Sequence, residues 1–80
     1  MLTDSMIAER LRLSSYEFRT LEKSHRRLDL ELIDLQKRHG LTLVEAQSKK
    51  QLQKKKLATK DQMAELIRAH RNQELQGAIH

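Results

Sequence analysis

Between Gln47 and Met63 the chain reads QSKKQLQKKKLATKDQM, and six lysines (Lys49, Lys50, Lys54, Lys55, Lys56 and Lys60) fall within twelve residues. Closely spaced ammonium groups can neutralise phosphates and release their counterions, giving binding that weakens steeply with salt. The run holds no arginine for bidentate base readout and no aromatic ring on which a base could stack. Contact with RNA or DNA through these six lysines would therefore be made to the backbone, independent of sequence, and an acidic protein partner would use the same charges. At 100° per residue the lysines do not form one stripe. Lys50 and Lys54 point outward, Lys55 lies to one side, and Lys49, Lys56 and Lys60 lie on the other, close to the apolar seam. The competing expectation is a solvated flank that pairs with Glu22, Asp29 and Asp34 of the preceding helix. Exposed pairs of that kind contribute only about 0–1 kcal/mol each, but they set register and orientation.

Other reactive types are sparse. His25 has Asp29 one helical turn later, on the same face. This is the spacing of an imidazole held by a carboxylate, and such a pair responds to pH near neutrality. No further ligand is spaced to turn it into a metal site, and His39, His70 and His80 are scattered. There is no cysteine, no Gly-rich phosphate loop and no nucleophile elbow. We expect no enzymatic activity, no cofactor, no bound metal and no small-molecule substrate.

Eighty residues allow one small domain, and a core of that size is marginal without disulfides, metal or self-association. Proline is absent, glycine occurs only at Gly40 and Gly77, and Tyr16 and Phe18 are the only aromatics. Charged residues make up 34% of the chain, and with sustained helical periodicity this composition signals long helices or coiled coil. The net charge of +5 is uneven. Lys and Arg outnumber Asp and Glu by eight to seven in residues 1–40 and by eight to four in residues 41–80. No stretch approaches the roughly 20 apolar residues that span a bilayer. The opening MLTDSMIAERLRL lacks a secretory apolar core and mixes acids with its bases, unlike a lipid-binding helix. A cytoplasmic location without membrane contact is the expectation.

Apolar side chains at Ile7, Leu11, Phe18, Leu21, Leu28, Leu32 and Leu35, with Ser14, His25 and His39 filling the gaps, follow an alternating four-and-three spacing, the seam of a heptad pattern. LSSYEF interrupts it. A capping box between Ser14 and Glu17, with a staple between Leu13 and Phe18, predicts a short helix over 4–13 and a longer one over 15–39. An unbroken helix over 4–39 is the alternative. HGLTLVEA predicts a reversal over 40–42, with Gly40 left-handed after the helix and Thr42 and Glu45 forming a second capping box. The last helix is expected over 43–76, ended by Gly77, with Leu52, Thr59, Met63, Leu66, Ile67 and His70 facing inward. A straight helix through Gly40 would cost only about 1 kcal/mol, so a domain-swapped form stays open.

The fold class is thus all-α: a short N-terminal helix followed by a long antiparallel, coiled-coil-like hairpin. At 1.5 Å per residue the two long helices measure about 37 Å and 50 Å, and the first helix fits the overhang. Ile7 and Leu11 would meet Ile67 and His70, and Phe18 would meet Met63 and Leu66. Leu13, Val44 and Leu57 are left partly exposed, so self-association into a bundle is expected, a dimer first. Phe18, Leu21, Leu28, Leu32, Leu52, Met63 and Leu66 would carry the hairpin and oligomer packing.

Two motifs also carry a resemblance. Phe18, Leu21, His25, Leu28 and Asp29 give FxxLxxxHxxLD, followed by Leu32, and Lys55, Lys56, Leu57, Lys60, Asp61 and Met63 give KKLxxKDxM. Together they resemble the YdcH-like family of small bacterial helical-hairpin proteins, over roughly residues 5–70. The resemblance implies a bacterial cytoplasmic protein, a helical hairpin, an unassigned role and no catalytic residues to carry over.

Overall fold

Thr3 opens the first helix: its hydroxyl accepts the Met6 amide at 3.2 Å, and Asp4 places a negative charge at the helix start. In a computed structural model that describes residues 2–79, and the side chains of residues 2–74, three helices follow one another. They are α1 (Asp4–Ser14), α2 (Tyr16–Lys37) and α3 (Leu43–Ile79), and α2 packs against α3 as a hairpin 58 Å long overall. No strand occurs among the described residues.

The break between α1 and α2 falls one residue later than the capping pattern predicts. Ser15, not Ser14, is the cap: its hydroxyl accepts the Phe18 amide at 3.1 Å, while its own amide donates to the Leu11 carbonyl at 2.7 Å. One extended residue (φ −119°, ψ 112°) therefore ends α1 and starts α2. Ser14 stays helical and donates to the Arg10 carbonyl. The predicted staple is not formed, because Leu13 remains 86% exposed. Tertiary packing decides between two serines that can both cap. Pivoting at Ser15 brings Ile7, Leu11 and Phe18 into one buried cluster against Met63, Leu66 and Ile67 of α3. Ile67, expected for α1, and Met63 and Leu66, expected for Phe18, are all in this cluster, with Leu2 and Ala8 added at the edge.

α2 ends at Lys37 instead of His39 because Arg38 leaves the helix (φ −77°, ψ 140°). Its guanidinium bridges Asp34, at 3.1 Å, and Glu45, at the start of the next helix. Gly40 follows with φ +74°, the left-handed conformation a residue without Cβ adopts freely. The second capping box forms as the sequence predicts: Thr42 Oγ1 accepts the Glu45 amide, and Glu45 Oε1 accepts the Thr42 amide, both at 3.1 Å. α3 continues through Gly77 to Ile79. Glycine inside a helix costs only about 1 kcal/mol relative to alanine, so it does not by itself impose a stop.

Candidate functional site

The apolar seam is the scaffold on which charged residues are displayed. Phe18, Leu28 and Leu32 are buried; Leu21, Leu52, Met63 and Leu66 are half-buried along the same seam. Thr59, buried and polar, satisfies its hydroxyl by donating to the Lys55 carbonyl at 2.8 Å. The seam thus fixes the azimuth of every lysine in the run.

One lysine of the six finds an acid among the described residues. Lys56 donates to Asp29 Oδ1 at 2.6 Å, across the hairpin. That hydrogen bond, and then the ammonium charge, hold the Asp29 carboxyl below its ordinary range. The other two acids expected opposite the lysines are taken elsewhere. Arg12 of α1 donates through Nε to both Glu22 oxygens, at 2.7 and 2.9 Å, and Asp34 is held by Arg38. An arginine of α1 and the arginine that caps α2 reach these acids before any lysine of α3 does. Lys49 is half-buried, and Lys50, Lys54, Lys55 and Lys60 are exposed.

Beside the Lys56–Asp29 pair runs a shallow groove of about 370 Å³. Leu32 forms part of its lining, with Ile33 and Leu57 alongside and Lys60, Gln36 and Gln53 as further lining residues. Leu57 is 60% exposed and Ile33 stands at the margin of exposure. Leu30, on the far side of α2, lines a second cleft with Arg27, Glu31, Asp34, Leu35 and Leu52. Val44, expected to be partly exposed, is exposed together with its neighbour Leu43.

At the α1 end, the termini of the helices are clasped by ion pairs. Arg10 reaches Glu74 at 3.0 Å, and Arg71 binds Asp4. His70 Nε2 lies enclosed beneath them, 3.5 Å from Glu74 Oε1 and without a hydrogen-bond partner among the described residues. His25 is half-buried, but Asp29 is engaged by Lys56 and not by the imidazole. His80 lies outside the described residues. Among the described residues no three side chains of His, Cys, Asp or Glu gather to hold a metal ion, and no helix is long and apolar enough to cross a membrane.

A family model matches residues 18–67, well over half of the chain, and its description is protein of unknown function (DUF465). The chain belongs to that family. The matched span runs from Phe18 of α2 through the Gly40 turn to Ile67 of α3, and so it contains most of the hairpin and the whole lysine run, with Tyr16 outside it. α1, with Ile7 and Leu11, lies outside it. No curated protein and no solved structure gives a match.

Within this DUF465 hairpin, sequence reasoning passed over the outer face of α2. Tyr16, Arg19, Thr20, Lys23, Ser24 and Arg27 line one cleft of about 330 Å³ there, and no carboxylate is among them. The signal was available: Arg19, Lys23 and Arg27 are spaced by four, one turn apart on a single helix. It was masked by the acids of α1 and α2, which bring residues 1–40 close to neutrality overall. The fold sorts these charges by face, and a count over sequence cannot.

Proposed function

We propose that this chain is a small, non-enzymatic interaction protein that works as a homo-oligomer, a dimer first, built by pairing hairpin faces. One observation carries the reading: Leu32, Ile33 and Leu57 share one groove amid polar and charged lining residues, and Leu57 is 60% exposed there. A core whose fully enclosed side chains are Phe18 and Ile7 is small for 80 residues, and a second copy would supply apolar area the monomer lacks. Charges on the groove margin are self-complementary. Asp29 lies on α2 and Lys56 and Lys60 lie on α3, so pairing of this face about a two-fold axis would set the acid of one copy towards Lys60 of the other. The resemblance to YdcH-like proteins adds a bacterial, cytoplasmic setting to the proposal.

Light scattering is expected to give twice the 9.4 kDa chain mass, and a Leu57→Glu/Ile33→Glu variant is expected to return one chain mass with its helical content kept. A clean monomer at high micromolar concentration overturns the reading. Lys50, Lys54, Lys55 and Lys60, exposed and without an ion pair among the described residues, favour a second reading, sequence-independent contact with a nucleic-acid backbone or an acidic protein. Its test is the Lys54→Gln/Lys55→Gln/Lys60→Gln variant, which should lose salt-sensitive binding of oligonucleotides or poly-glutamate that the parent shows.

A further inference from the structure

We infer that the outer face of α2 is a binding site for single-stranded nucleic acid, in which Arg19, Lys23 and Arg27 hold successive phosphates and Tyr16 stacks on a base. The site is separate from the lysine run and does not depend on self-association. Its geometry begins with the helix. Residues four apart rise by about 6 Å along the axis, so the three cations form a ladder along α2 on the side turned away from buried Phe18, Leu28 and Leu32. All three line the same cleft, with the hydroxyl residues Thr20 and Ser24 between them.

Charge in the cleft is uncompensated. Among the described residues none of Arg19, Lys23 and Arg27 forms an ion pair, and the acid nearest in sequence to Lys23, Glu22, is held by Arg12. Arg19 is also oriented. Its Nη1 donates to the Arg12 carbonyl at 2.9 Å, at the C-terminal end of α1, and a guanidinium has five donors, so four remain for a phosphate. Glu31 and Asp34 line the neighbouring cleft beyond Arg27, which bounds the basic strip at that residue.

The aromatic ring distinguishes this strip from the lysine run. Phe18 is fully enclosed, whereas Tyr16 is 77% exposed at the head of the cationic ladder. A cationic track combined with an exposed ring is the pairing that recognises single strands, because every unpaired base offers a face for stacking. A duplex keeps its base faces covered and would engage only the charges. A plain acidic peptide would likewise have no use for Tyr16.

Tyr16 is the chain's only tyrosine and there is no tryptophan, so intrinsic fluorescence reports on the site directly. The test titrates the full chain with labelled oligo-U and oligo-dT, the matched duplexes and poly-glutamate, at low and near-physiological salt. Single strands are expected to bind, to quench Tyr16, and to bind more weakly as salt rises. Arg19→Gln/Lys23→Gln/Arg27→Gln is expected to lower the logarithmic salt slope by about 2, from three lost phosphate contacts. Tyr16→Ala should weaken binding roughly tenfold, with Tyr16→Phe close to the parent. Lys23→Gln/Arg27→Gln, which leaves the Arg19–Arg12 contact intact, should show the same direction of loss. The control arm is Lys54→Gln/Lys55→Gln/Lys60→Gln. If that variant loses binding while the α2 variants keep it, the inference is overturned and the lysine reading stands. Absence of binding at low salt, an unmoved tyrosine signal, or equal affinity for poly-glutamate also overturns it.

Discussion

Two carboxyls of the hairpin are held below their ordinary range, each by a hydrogen-bond donor that is itself positioned by the fold. Asp29 is held by the hydrogen bond from Lys56. Glu45 is held first by the Thr42 amide and then by Arg38, whose own guanidinium is pushed up by Glu45 and Asp34. A carboxyl with a lowered folded-state value makes the unfolded chain the better proton binder near about pH 4. Its contribution is complete above the unfolded value and is lost as pH falls through the folded one. The thermal midpoint should therefore fall as pH drops below about 4, and Asp29→Asn/Glu45→Gln should flatten that decline. Identical pH profiles for parent and variant would contradict the assignment. Of these two partnerships, Thr42 with Glu45 was legible in the sequence because both groups lie within one turn. The choice of Asp29 over Glu22 and Asp34 by the lysine flank was not, since it depends on which arginines reach the other two.

At the scale of elements, periodicity set out three helices and the reversal at Gly40, while their ends moved by one to three residues. Each shift has a local cause: Ser15 replacing Ser14 as the pivot, Arg38 unwinding to bridge Asp34 and Glu45, and Gly77 lying inside α3. The pivot makes a sharp prediction. Ser15→Ala removes a hydroxyl that accepts the Phe18 amide and should destabilise the fold by about 1 kcal/mol. Ser14→Ala removes only a bond to the Arg10 carbonyl and improves helix propensity, so its urea midpoint should stay near the parent. The reverse order would restore Ser14 as the cap. Leu13 illustrates why the staple misled: spacing placed it opposite Phe18, but the true cap one residue on rotates it into solvent.

For the molecule as a whole, the sequence made the hairpin and the docking of α1 visible through helix lengths and the heptad seam. It did not show the sorting of charge by face, because that needs the azimuth of each helix. The way α1 is held has a consequence in time. The ion pairs that anchor it to α3 join residues 64 and 67 positions apart, Arg10 with Glu74 and Asp4 with Arg71, with Arg12 and Glu22 as the one near pair to α2, whereas α2 and α3 close around a short turn. Contacts so distant along the chain form after nearer ones, so the hairpin should assemble first, with α1 arriving last and opening first. Its ion pairs are solvent-exposed and weaken with salt. Amide hydrogens of α1 should thus exchange faster than those of mid-α2, and faster again in high salt, while the protection of Leu28 and Leu32 barely moves. Uniform protection across all three helices would make α1 an inseparable part of one cooperative unit. A segment that leaves first is also the first handle for a protease, so the boundary at Ser15 is where limited digestion should begin.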